Sequence, residues 1–154
     1  MKVLFVCLGN ICRSPMAEAI FKKKVDDAGY QDQIETDSCG TASYHIGEDP
    51  DHRTRKILGN NKILVSHRVR QLNCRDFFDF DFILAMDKAN LEDILKVKPS
   101  GATAHVYLMR DYDPNPENGE VPDPYFGGEK GFRDVFDVLD RSTGHLFEKI
   151  SGDL

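Results

Sequence analysis

The run VCLGNICRSPMAEA, beginning at Val6, places two cysteines, an asparagine and an arginine between an apolar stretch and a helix-like pattern. A thiol is a poor nucleophile while protonated, and the unpaired amides of a helix N-terminus lower its pKa. Cys7 stands at that kind of junction. Gly9 can accept a positive φ and Asn10 tolerates the left-handed region, so the N–H groups from Leu8 through Ile11 and Cys12 can converge on one anion. Arg13 closes the turn, because its planar guanidinium grips two oxygens of a phosphate in fork geometry as a lysine cannot. Cysteine, five residues, arginine and serine therefore join a nucleophile, an oxyanion cradle and a charge clamp. A nucleotide-binding phosphate loop would end in Gly-Lys-Ser or Gly-Lys-Thr, which is absent here. The plain alternative is a small buried thiol closing a strand.

The elements that must hold this turn can be read on either side of it. Lys2 to Cys7 is short, apolar and rich in branched residues, which suits a central strand covered on both faces. From Ser14 the pattern is helical, with Ser14 as N-cap, Pro15 at the first helical position and Gly29 as the stop. Residues 34–41, 81–87 and 103–109 give three more strands, the last two with a buried-strand signature. Between those two, Asp87 caps a helix that places Leu91, Ile94 and Leu95 on one face. Over 131–150, Phe132, Val135, Phe136, Leu139, Leu146 and Ile150 recur at helical spacing. Alternating strands and helices predict a single α/β domain over 1–154: a doubly wound, four-stranded parallel sheet flanked by helices on both faces. One segment breaks the rhythm. Arg110 to Gly128 holds four prolines and no periodicity, and it leaves the same carboxyl edge as the Cys7 turn.

Composition bounds the rest. At 154 residues the chain can bury a core without metal or disulfide staples, and a net charge of -6 argues against holding nucleic acid or anionic membrane by bulk electrostatics. Any anion site is therefore local. No run approaches the ~18 apolar residues of a membrane span, and the N-terminus turns polar too early for a signal peptide, so a cytoplasmic protein is expected. Cys7, Cys12, Cys39 and Cys74 are then expected to stay reduced. A metal reading fails, since Cys7 and Cys12 lack a CxxC partner and a histidine at finger spacing.

The segments VCLGNICRSPMAEAIF, DSCGTASYHIGEDPDHRT, SHRVRQL, ILAMD and PDPYFGG together resemble the low-molecular-weight protein tyrosine phosphatase family, along the whole chain. The resemblance implies that Cys7 is the nucleophile, Leu8 to Ser14 the phosphate-binding loop, Arg13 the phosphate clamp and Asp123 the general acid. It implies a network of Asn10, Ser14, Ser38 and His67 that props the loop, and pocket walls from Leu8, Tyr44, Tyr125 and Phe126, the last replacing the second tyrosine of a tandem pair. It also implies that Cys12 can form a protective disulfide with Cys7. From chemistry alone, Asp123 could equally be a turn residue before Pro124, and His67 an ordinary histidine. The expected activity is metal-independent, cofactor-free hydrolysis of phosphotyrosine in proteins or peptides, and of small aryl phosphates, by a monomer. The rivals on this fold are an arsenate reductase, disfavoured because Cys74 lacks a relay partner, and an arginine-phosphate phosphatase, whose branch tends to carry threonine where Ile11 stands.

Overall fold

The computed structural model describes residues 1–154. Its frame is a four-stranded, all-parallel sheet in the order β2-β1-β3-β4, from β1 (Lys2–Cys7), β2 (Glu35–Gly40), β3 (Phe82–Ala85) and β4 (His105–Leu108). The period-2 alternation of β1 explains its central place. Val3, Phe5 and Cys7 face one apolar cluster, while Leu4 and Val6 face the other. The first cluster lies under α1 (Arg13–Asp27) and a 25-residue C-terminal helix, Gly128–Gly152; the second lies under Phe77 and Ile94. Both faces are thus covered, as parallel strands require.

The remaining helices are α2 (His52–Asn60), the single turn α3 (Asp76–Asp79) and α4 (Lys88–Val97), which makes the C-terminal helix α5. Asp87 caps α4 as anticipated, accepting from the Asn90 N–H at 2.7 Å. No apolar periodicity announces α2, because only Ile57 and Leu58 are large apolar residues within it. No helix is long and apolar enough to cross a membrane.

Several expectations are corrected. Helix α1 starts at Arg13 with Cys12 at the N-cap, so Ser14 and Pro15 lie inside its first turn. Proline is tolerated there because those N–H groups have no intrahelical acceptor, and the serine hydroxyl is engaged elsewhere. Gly9 does not take a positive φ; Asn10 carries the left-handed step of the loop alone, at φ 58°. Leu95 points to solvent, while Asn90 and Ile94 are buried on α4. Strand β4 is the sheet's outer edge, half-exposed rather than buried, with His105 and Tyr107 facing water. The predicted irregular stretch is shorter than 110–128, since a 3-10 turn occupies Met109–Tyr112 and α5 begins at Gly128.

Candidate active site

All four strands end at one edge, and the loops leaving β1 and β4 meet there. The Cys7–Arg13 loop is sewn to the chain leaving β2: the Thr41 N–H donates to the Cys7 carbonyl at 3.0 Å and the Ala42 N–H to that of Leu8 at 3.0 Å. This suture needs a glycine. A Cβ on Gly40 would meet the Leu8 carbonyl oxygen at 2.7 Å and the Asn10 nitrogen at 3.2 Å. Behind the loop, Asp51 caps α2, its N–H donates to the Ile11 carbonyl at 2.8 Å, and the Thr54 hydroxyl donates to the Cys12 carbonyl at 3.3 Å.

At the centre, the Cys7 sulfur receives the Asn10 N–H at 3.3 Å and lies 3.0 Å from the Ser14 hydroxyl. The Asn10 amide donates to Ser14 Oγ at 2.8 Å, so the hydroxyl's own proton is shared between the sulfur and the Cys39 carbonyl 3.4 Å away. Arg13 is buried, and its Nη1 donates to Asp87 at 2.7 Å and to the Val121 carbonyl at 3.0 Å. Burial works against the guanidinium's charge, but Cys7, Asp87 and Asp123 outweigh it and raise the pKa above the usual arginine value. Its other terminal nitrogen, Nη2, faces Asp123 at 3.9 Å. Asp123 is half-exposed and accepts the Tyr125 N–H at 3.1 Å.

Hydrogen bonds from the residues behind the loop explain why Asn10 can hold a left-handed conformation. Its amide also donates to Ser38 Oγ at 3.0 Å, and its side-chain oxygen accepts from His67 Nε2 at 2.7 Å and from the Arg70 N–H at 3.2 Å. His67 must therefore carry its proton on Nε2, leaving Nδ1 as an acceptor 3.2 Å from Glu18. Burial pushes the Glu18 carboxyl up to about 7 and holds the imidazole below its ordinary range. A neutral carboxylic acid facing a neutral imidazole fits both shifts. Ser38 completes the set by donating to Glu18 at 2.6 Å.

The mouth is a cavity of about 290 Å³ with Cys7 and Arg13 at the floor and Leu8, Ile11, Tyr44, Tyr125 and Phe126 among its walls. Cys12 also lines it, and burial followed by the charge of Asp51 pushes its thiol up to about 12. The structure thus brings Cys7, Arg13, Asp123, the loop, the network of Asn10, Ser14, Ser38 and His67, and the four wall residues to one place. Sequence reasoning missed Glu18, Gly40 and Arg70. Glu18 had a signal, since it follows Ser14 by four positions and so shares its helix face. Gly40 and Arg70 act through tertiary contacts that no local pattern announces.

The family model for low molecular weight phosphotyrosine protein phosphatase matches residues 2–154. The low molecular weight phosphotyrosine protein phosphatase of Schizosaccharomyces pombe is 49% identical over 148 residues, covering 95% of each chain. A solved protein tyrosine phosphatase from Entamoeba histolytica, with Hepes in its active site, superposes with a TM-score of 0.93 at 42% identity, covering 100% of this chain and 99% of that one. A solved Drosophila arginine phosphatase superposes with a TM-score of 0.92 at 35% identity, covering 100% of both chains. A match along nearly the whole chain, on a sheet edge where the loop, the arginine and the late aspartate already meet, makes this chain a member of the low molecular weight phosphotyrosine protein phosphatase family.

Proposed function

We propose that the protein is a tyrosine phosphatase working through a phosphocysteine, with Cys7 as nucleophile, Arg13 and the loop amides as the phosphate cradle, and Asp123 as general acid and base. The observation that carries this reading is the convergence on one cavity of the Cys7 sulfur, which accepts the Asn10 N–H and lies against the Ser14 hydroxyl, and the buried Arg13. In the first step the thiolate forms an S–P bond as the P–O bond to the phenol breaks, and Asp123 gives the leaving oxygen its proton. In the second, Asp123 takes a proton from water, the water oxygen bonds phosphorus, and the S–P bond breaks to release phosphate and the thiolate. Arg13 is held from behind by Asp87 and Val121, so it meets the phosphoryl oxygens already oriented.

A phenyl phosphate fits the walls. Tyr44 and Tyr125 flank the opening, and an aryl ring between them leaves phosphorus to reach the sulfur below. Ile11 adds an apolar wall that favours the phenyl ring over a guanidinium. Four free thiols fit a reducing, cytoplasmic setting. Phosphotyrosine peptide, phosphoarginine and p-nitrophenyl phosphate, each assayed with and without chelator, test the reading. Turnover of the two aryl esters that survives chelation supports it, while faster turnover of phosphoarginine reverses it. Cys7→Ser is expected to abolish turnover. Asp123→Ala is expected to cost ~10²–10⁴-fold on phenols that leave poorly and much less on activated ones. Equal losses on both would remove Asp123 from the acid's role.

A further inference from the structure

We infer that the cleft between α2 and the start of α5, next to the catalytic mouth, is a subsite for an acidic side chain flanking the phosphotyrosine of a peptide substrate. This rests on the phosphatase reading above and extends it to specificity.

The cleft has a volume of about 480 Å³, and its lining carries Arg53, Lys56, Arg133 and His52 against the single carboxylate of Glu129. Lys56 pairs with Glu129 at 2.9 Å through two largely exposed side chains, an arrangement that water and salt keep loose. Arg133 makes no direct ion pair, and its charge acts on Glu129 only at longer range. On a chain of net charge -6 this is a local reversal of sign.

Arg53 joins the cleft to the mouth. Its guanidinium lies 4.7 Å from the Phe132 ring centroid and 5.2 Å from that of Tyr125, while Nη1 donates to the Tyr125 carbonyl at 2.8 Å. Asp51 holds the same group through Nε at 3.1 Å and Nη2 at 3.1 Å. Tyr125 is a wall of the catalytic cavity, so the cationic cleft begins directly behind that wall.

Further along α5, on the Asp123 side of the mouth, the sign changes. Beyond Asp123 lies a trough of about 600 Å³ lined by Asp87, Glu117, Glu120, Asp134 and Asp137. Its two arginines, Arg110 and Arg141, are both engaged by the buried Asp113. A peptide whose phosphotyrosine enters the cavity and whose chain runs between these two clefts meets fields of opposite sign on its two sides. An acidic residue is attracted on the α2 side and repelled on the other, so the field selects both the sequence and the chain direction.

The test is kcat/KM on phosphotyrosine peptides in which a glutamate or a lysine is moved through successive positions on either side of the phosphotyrosine. The parent protein is expected to favour glutamate over lysine by about fivefold at one flank only, in keeping with one or two partly exposed ion pairs, and to lose that preference as salt is raised. Replacing Arg133→Glu together with Lys56→Gln is expected to erase or invert the ratio between the two peptides. If the parent turns over p-nitrophenyl phosphate yet treats the two peptides alike within twofold, or if its preference survives high salt, the subsite is refuted while the phosphatase reading stands. If p-nitrophenyl phosphate itself is not turned over, both fall.

Discussion

Glycine at position 40 is where one atom decides the shape of the cradle. The loop passes so close that a methyl group would overlap the Leu8 carbonyl, and that contact is backbone rather than a side chain able to swing away. Gly40→Ala must therefore push the Leu8–Asn10 segment off its track. A displacement on the scale of an ångström at a reacting centre costs on the order of 100-fold. The expected outcome is a kcat loss of that size with a folded, cooperative unfolding transition, checked by kinetics and circular dichroism on one preparation. Retention of full activity would show that the loop tolerates a wider path. The chemistry of the loop was legible in its residue types, but this steric condition was not, because it joins two strand ends far apart in the chain.

At the scale of elements, the segment carrying Asp123 is held by a buried charge cluster. Asp113 accepts from Arg110 Nε at 2.9 Å, from Arg141 at 2.7 and 2.9 Å, and from the Asn115 N–H at 2.9 Å. Burial disfavours its charge, yet the arginines and the Asn115 N–H outweigh that and lower the carboxyl to about 2. Arg110 in turn donates to the carbonyls of Asn115 and Glu120, and the Val121 N–H donates to the Met86 carbonyl at 2.8 Å. Asp113→Ala leaves the buried Arg110 with only the exposed Glu117 carboxylate, 4.0 Å away, as counter-charge, and breaking such a buried pair costs about 3–5 kcal/mol in comparable sites. A lower urea midpoint is expected, with a kcat loss greater for poor leaving groups, since the general acid loses its anchor. An unchanged midpoint would mean that water replaces the carboxylate. Periodicity revealed the strands and long helices around this segment. It was blind to α2, whose stability comes from the Asp51 cap and from docking on the loop rather than from an apolar stripe. It also overstated β4, because an apolar run cannot tell a sheet's edge from its middle.

For the molecule as a whole, the Glu18–His67 pair ties global stability to the loop. A carboxyl whose pKa is higher folded than unfolded favours folding in its protonated form. Its contribution is complete below about 4.5 and is lost as pH rises through about 7. The shift corresponds to a contribution on the order of 1–3 kcal/mol. Glu18→Gln removes the titration; because Ser38 and His67 Nδ1 meet the same Glu18 oxygen, the amide serves only one of them, a loss that does not vary with pH. The melting temperature of the parent, relative to this variant, is therefore expected to fall between about pH 5 and pH 8. A constant difference would show that Glu18 does not titrate in that window.

The chain contains no tryptophan, and two of its five tyrosines, Tyr44 and Tyr125, stand at the cavity wall. Emission in the near ultraviolet therefore comes from tyrosine alone, with a large share of it from the lip of the site. A non-absorbing oxyanion settling beside the sulfur should alter that signal in the unlabelled protein, so occupancy can be followed optically without a reporter group.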